Sequence, residues 1–589
     1  MTVIFSCVLA LCLGCSSEHG TGFQDRPAVS NAEGVIYFAK EIITLDETRP
    51  LAQAVAVSHG KIIQAGSREE LLNNEKLIQY AVDDQFEHKV ILPGFIEQHL
   101  HPLLASMTMN TDAIISIEDW ETPHGFSPRA LGEEAFRARL VSEAERFDRN
   151  INRPMLVWGY HTLFHGPLDR DILDRLVPET PLIVWQRSTH EALLNSAAQQ
   201  RLNIDQNYID GWSSELARSQ ANLETGHFVE AAFWEHILFE KMAPYFLNPE
   251  FLLSGLNWTG SYYHKNGITT LVEPAGPVNQ SLQTLVARAY GGDDTPFNFY
   301  FIPDGRSLAL QHFAKGSEVL ITETEKMLQW SQGRTQFRPR QVKLLLDGAI
   351  YSQLMVMRDG YTDGHHGEWL MTPEHFEDVF LAYWQADYQI HVHYNGDGGL
   401  DVLLDTLEAA QQLYPREDHR TVLVHYGFAQ ADQIKRAAGL GAIASANPVY
   451  VTTLAERYAE QGIGRERVEN MVPLGDTARA GMSISLHSDM PMAPANPLLL
   501  MEAAVNRKTV SGWVPGPSQR ITAEEALKAV TLGAAYSVRL DDEIGSITPG
   551  KKANFTILED NPLTVAPDKI ADIDVWGTVL EGRVQPVNE

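Results

Sequence analysis

His99 and His101 stand one residue apart at the end of the run Val90-Ile91-Leu92-Pro93-Gly94-Phe95-Ile96-Glu97-Gln98-His99-Leu100-His101. Side chains of a strand alternate between its faces, so the two imidazoles point the same way, as two nitrogen ligands of one metal ion must. Alone, such a pair also suits a half-exposed polar strand. Three further apolar runs end in ligand-type side chains: Gln389-Ile390-His391-Val392-His393, Thr421-Val422-Leu423-Val424-His425 and Ser483-Ile484-Ser485-Leu486-His487-Ser488-Asp489. Four such endings are hard to explain by packing. Neutral imidazoles and carboxylate oxygens suit a divalent ion, zinc first, and such an ion makes a bound water nucleophilic near neutral pH.

The elements that must position these groups can be counted. Strand-like runs end near His101, Glu273, Ile302, Asp347, Asn395, Tyr426, Pro448 and Asp489, and most are separated by segments of helical period such as Leu400 to Ala410 and Ala431 to Ala438. Eight β/α units predict an α/β fold, a (β/α)8 TIM barrel over residues 93–543 with its ligands at the carboxyl ends of the strands. The stretch from about 105 to 265 is too long for one unit and reads as an inserted subdomain over the mouth of the site. Short strands at Val35–Phe38, Ala54–Val57 and Lys61–Gly66, and at Ala553–Leu558 and Val575–Arg583, predict one small β-sandwich domain built from both chain ends, residues 34–92 and 544–589.

Composition narrows the partners. In 589 residues with 44% apolar content there is material for a large core, while a net charge of −30 argues against nucleic acid and anionic membrane surfaces. The expected partner is a small-molecule substrate, with oligomerisation left open. All three cysteines, Cys7, Cys12 and Cys15, fall in the first fifteen residues, so the body has no thiol for a disulfide, a thiolate metal site or a nucleophile. Residues 1–15 resemble a bacterial lipoprotein signal, followed by a linker over 16–33. They predict export to the periplasm or cell surface with a lipid on Cys15, although no Lys or Arg precedes the apolar run.

Taken together, Gly94 to His101, Val342-Lys343-Leu344-Leu345-Leu346-Asp347-Gly348, His393-Tyr394-Asn395-Gly396-Asp397, Val424-His425 and His487-Ser488-Asp489-Met490-Pro491 occur in the order seen in the amidohydrolase superfamily. The chain most resembles its large, insertion-bearing branch that includes N-substituted formamide deformylase, and Gly545 to Asn554 resembles the closing β-sandwich motif. The resemblance implies His99 and His101 as first-strand metal ligands, Lys343 as the fourth-strand residue that can be carboxylated to bridge two ions, and His393 and His425 as fifth- and sixth-strand ligands. Asp489 becomes the eighth-strand ligand and the catalytic group, a base toward water and then an acid toward the leaving group.

Each assignment has an alternative. Lys343 can be a snorkelling or salt-bridged lysine, though its apolar run makes an unmodified charge costly to bury. His391 shares a strand face with His393, and the Gly396-Asp397 register favours His393. His487 stands where the family usually has glycine; it is expected to contact substrate, or to hydrogen-bond Asp489. His190, in Ser188-Thr189-His190-Glu191, resembles a segment near the substrate but also suits a polar surface. Trp158, with Tyr160 and His161, either lines the inner face of the insertion or packs it, and His365 and His366 are expected to be solvated. After Lys343 and Asp397 the loops Ala349 to Gln353 and Gly398-Gly399 depart from the family, so the mechanism transfers and the formamide substrate does not. Hydrolysis of an amide or other C–N bond leads; an ester or lactone hydrolase and a catalytically silent binding protein are the competing readings.

Overall fold

The computed structural model describes residues 32–246, 248–276 and 278–587; the signal-like segment and Cys15 lie outside the described residues. Eight strands form the barrel: β1 (Phe95–Glu97), β2 (Ile268–Gly276), β3 (Asn298–Pro303), β4 (Gln341–Leu345), β5 (Gln389–Tyr394), β6 (Val422–His425), β7 (Ile443–Ala446) and β8 (Ile484–Leu486). Neighbours pair in parallel in two runs, β1 to β3 and β4 to β8. A parallel bridge between Asp304 and Lys343 joins β3 to β4. On the other side, Asp489 N–H donates to the His99 carbonyl and His101 N–H to the Met490 carbonyl, both at 3.0 Å, and bring the ends of β1 and β8 together. Strand residues are buried on both faces, which explains their continuous apolar character.

Helices cover the strands where the spacing predicts them. In Asp397–Leu413 the side chains of Leu400, Leu403, Leu404, Leu407 and Ala410 repeat at helical period and are all buried. At the base, Gly94 lets β1 approach β2: a Cβ there would collide with the Thr269 side chain. Thr335–Phe337, which the pattern does not reveal, adds a further parallel strand beside β3.

Seven strands drawn from both ends form the second sheet, in the order Arg583–Pro586, Val575–Leu580, Phe555–Leu558, Tyr80–Pro93, Gly34–Ile43, Leu51–Ser58 and Lys61–Gly66. Alternation sends Tyr37 and Ala39 to one apolar cluster and Ile36 and Phe38 to another, and Ile42 joins the first because the register shifts between Phe38 and Ile42. Register breaks between Tyr37 and Glu41 add residues opposite, the irregularity that bends a strand pair. Sheet and barrel are stitched by Thr556, whose hydroxyl donates to the Gly267 carbonyl (2.7 Å) and accepts from Phe95 N–H (2.9 Å).

Between β1 and β2 the chain builds a six-stranded sheet of its own, in the order Ala221–Asn222, His227–Val229, Glu191–Leu194, Leu182–Gln186, Met155–Tyr160 and Ala113–Ile114. Helices Pro102–Met109 and Pro249–Lys265 flank this stretch and pack together so closely that a Cβ on Gly255 would lie 2.7 Å from the Ser106 Cβ. The insertion reaches the barrel loops through named bonds. Arg187 donates to the Met492 carbonyl (2.8 Å), Gln186 Nε2 to the Tyr351 carbonyl (3.3 Å), and Ser352 Oγ to Ser188 Oγ (2.9 Å).

Candidate metal centre

Asp489 is where the strand ends converge. Its Oδ1 lies 3.3 Å from the Nε2 atoms of both His99 and His101, and its Oδ2 lies 3.5 Å from His425 Nδ1. One ligand atom from each of His99, His425 and Asp489 falls within 4.8 Å of the others. The His393 and His425 rings meet edge to face at 4.5 Å, which brings the fifth-strand histidine into the same group. His391 turns instead toward Gln341, 3.3 Å away, so the geometry favours His393 of the two. His425 and Asp489 both sit at positive φ, 75° and 59°, a backbone cost that concentrates at functional sites.

Burial sets the charge state. Loss of solvent holds His99, His393 and His425 well below the usual imidazole range, so they present neutral donor nitrogens. His101 goes the other way: burial pulls it down, but Asp489 and Glu273, the latter 3.8 Å from its Nδ1, outweigh that and bring it to about 9. Burial lowers Lys343 to about 7 against the opposing pull of Asp489, and its Nζ has no hydrogen-bond partner. His99 Nε2 and both ring nitrogens of His487 are also buried without hydrogen bonds. A buried unpaired polar atom costs about 1–3 kcal/mol, and a divalent ion among these groups would satisfy several at once. The donor set of imidazoles, one carboxylate and a buried amine therefore fits such an ion.

The other expected residues separate. His190 stacks on His393 with centroids 5.9 Å apart. His487 is fully buried, stacks on His99 at 4.6 Å and makes no hydrogen bond to Asp489. Trp158 is buried in the apolar core, its ring against Trp120. His161 is buried too, edge-on to Tyr351 at 6.3 Å. His365 stays partly exposed and His366 exposed, as expected, while His365 also stacks on Tyr361 and bonds Asp363 (2.6 Å) and the Gln353 carbonyl (2.8 Å).

Several groups escape the sequence. Glu273, at the end of β2, is a carboxylate in the position that the strand-end rule singles out, yet its partner His101 is visible only in space. Glu97 is fully buried, accepts Ser488 N–H (3.1 Å) and is raised to about 8 by burial. Arg187, fully buried, bonds Glu118 through Nε and Nη2 (2.7 and 2.5 Å) and lies over the Tyr351 ring. Tyr351 donates to the same Met492 carbonyl as Arg187, and Met492 N–H donates back to the Asp489 carbonyl (2.7 Å). The insertion thus grips the turn that carries Asp489.

Comparison with known proteins follows the same lines. A model described as "Amidohydrolase family" matches residues 87–585. N-substituted formamide deformylase of Arthrobacter pascens is 27% identical over 572 residues, covering 92% of this chain and 96% of that protein. Protein LONG AFTER FAR-RED 3 of Arabidopsis thaliana is 23% identical, covering 88% and 86%. Among solved structures, a metal-dependent hydrolase from Pyrococcus horikoshii superposes with a TM-score of 0.67 at 20% identity over 91% of this chain and 99% of that one, which establishes a shared fold.

Proposed function

The chain belongs to the amidohydrolase family, and from that premise we propose that it hydrolyses an amide or related carbon–nitrogen bond of a small molecule with one or two divalent ions, zinc first. The observation that carries this reading is the convergence of His99, His101 and His425 on the Asp489 carboxylate at the barrel mouth, among buried nitrogens that lack partners. His99, His101, His393, His425 and Asp489 would hold the ion or ions, and Lys343, once carboxylated, would offer a further oxygen ligand. A bound ion would supply an acidified water and polarise the scissile carbonyl.

The protein's own groups do the rest. Asp489 takes the proton of the attacking water and returns it to the departing nitrogen, so that water plus amide gives acid plus amine. Its turn is held by Arg187 of the insertion and by Tyr351, both of which donate to the Met492 carbonyl, while Met492 N–H donates to the Asp489 carbonyl. An ester or lactone would meet the same groups.

The test is metal content per chain, paired with hydrolysis of N-acyl, N-formyl and lactone compounds by wild type and Asp489→Asn at saturating metal. Turnover should fall by about 10²–10⁴ in the variant. Wild-type turnover by Asp489→Asn, or no metal after reconstitution, sinks the reading. We propose further that the chain is exported and lipid-anchored at Cys15, supported by the signal-like residues 1–15. Fatty-acid labelling that persists in Cys15→Ser would refute the anchor.

A further inference from the structure

His190 is held on one side and open on the other. Its backbone is pinned by Ser188 Oγ, which accepts its N–H (3.0 Å), and by Glu230 N–H, which donates to its carbonyl (2.8 Å). Its ring meets Trp234 edge to face at 5.6 Å and lies nearly parallel to His393, 26° apart in plane. Nδ1 donates to Glu230 Oε2 at 2.7 Å. Glu230 is itself fixed: it is fully buried, sits at φ 43°, and its Oε1 accepts Ala349 N–H (3.3 Å) from the loop after β4. The imidazole keeps 13% of its side chain exposed, and among the described residues no group bonds its Nε2.

A carboxylate accepts hydrogen bonds and does not donate them, so in the neutral imidazole the Glu230 bond places the single ring proton on Nδ1. In that tautomer Nε2 carries a lone pair. We propose that Glu230 fixes His190 as a hydrogen-bond acceptor beside the reacting bond, and that the substrates are therefore amides bearing an N–H at the scissile nitrogen, to the exclusion of tertiary amides and esters. This rests on the hydrolase reading above and selects among its substrate classes. The nitrogen keeps its own hydrogen on His190 Nε2 and takes a second from Asp489 as the C–N bond breaks, leaving as the neutral amine. A tertiary nitrogen or an ester oxygen offers no hydrogen there, and its lone pair or methyl group faces the imidazole lone pair. His190 touches the substrate; Glu230 acts through it, as a positioning residue.

Metal-loaded wild type, Glu230→Gln and His190→Phe are compared by kcat/KM on a secondary amide, its N-methyl tertiary analogue and the matching ester. Wild type should prefer the secondary amide to the tertiary by at least about 10²-fold, since a site built to hydrogen-bond a group rejects the analogue lacking it. In Glu230→Gln the carboxamide can donate to Nδ1, which moves the ring proton to Nε2 and turns the acceptor into a donor. Its secondary-to-tertiary ratio should fall at least about tenfold, with metal content unchanged. A role confined to packing would slow all three substrates alike and leave the ratio intact. Should Glu230→Gln misfold, His190→Phe, which keeps a ring between Trp234 and His393, must show the same loss of ratio. A wild type without preference, or variants that keep the wild-type ratio, overturns this inference alone; a wild type that cleaves nothing in the panel overturns the hydrolase reading and this with it.

Discussion

Replacing Glu118 should destabilise the insertion more than replacing Arg187, although either change breaks the same ion pair. Arg187 is fully buried, whereas the Glu118 side chain is 21% exposed and also accepts a hydrogen bond from Ser116 Oγ (2.9 Å). With Arg187→Met, Glu118 keeps Ser116 and some water, and the Met492 carbonyl keeps the Tyr351 hydroxyl at 2.8 Å; the cost is about 1–2 kcal/mol. With Glu118→Met, a guanidinium charge stays dry with one carbonyl and one ring face, and stranding a buried charge costs about 3–5 kcal/mol. The gap of about 2 kcal/mol corresponds to roughly 1 M in urea midpoint at a slope of about 2 kcal/mol per M. Comparing midpoints as an order of variants does not require a two-state transition. The double variant, which leaves no stranded charge, should sit above Glu118→Met. Should Arg187→Met unfold first, or the double variant fall below both singles, the desolvation argument is wrong.

Other perturbations have defined signs. Lys343→Met removes a buried amine without a partner, so the metal-free variant should unfold at higher urea than metal-free wild type while binding less metal; equal metal content refutes the ligand role. Burial lowers His165 from 6.5 to about 4 against the bond of its ring to the Ala130 carbonyl. The unfolded chain therefore binds the proton more readily, and stability, complete above about pH 6.5, is lost as pH falls toward 4, by roughly 3 kcal/mol at 1.36 kcal/mol per unit. Urea midpoints at pH 7 and 4.5 should drop further in wild type than in His165→Asn, and parallel drops would exclude His165 as the source. Gly94→Ala drives a methyl group into Thr269 and should cost about 1–3 kcal/mol, read as a lower melting temperature; an unchanged melting point contradicts the close approach of β1 and β2.

The metal-site candidates were legible because strand periodicity and the carboxyl-end rule act locally: His99, His101, His393, His425 and Asp489 each end an apolar run. The barrel followed from counting those runs. Residues paired only by folding were not legible. Glu230 reaches His190 across 40 residues from a left-handed turn, and Arg187 reaches Met492 across 305, with no periodic pattern to announce either. Tyr80–Pro93 escaped for a different reason. Asp84, Gln85, Glu87 and His88 lie on exposed stretches of that strand, so only its apolar end at Val90–Leu92 looked like one. His487 shows the limit of position alone, since alternation placed it with Asp489 but gave no hint that it would lie face to face with His99.

The sheet drawn from both chain ends also bears on synthesis. Phe95 and Thr556, hydrogen-bonded in the finished protein, are 461 residues apart, which a ribosome adding about 5–20 residues per second covers in roughly 20–90 s. Through that interval Val90–Pro93, which pairs with Phe555–Leu558, lacks its partner strand. An open apolar edge invites pairing with another nascent chain. The charged residues just upstream, Glu87 and Lys89, and Pro93 at the downstream end leave only Val90, Ile91 and Leu92 as a continuous apolar stretch, a short sticky edge with gatekeepers on either side. Glu87, one of the residues that disguise this strand in the sequence, also helps to protect it while its partner is still being made.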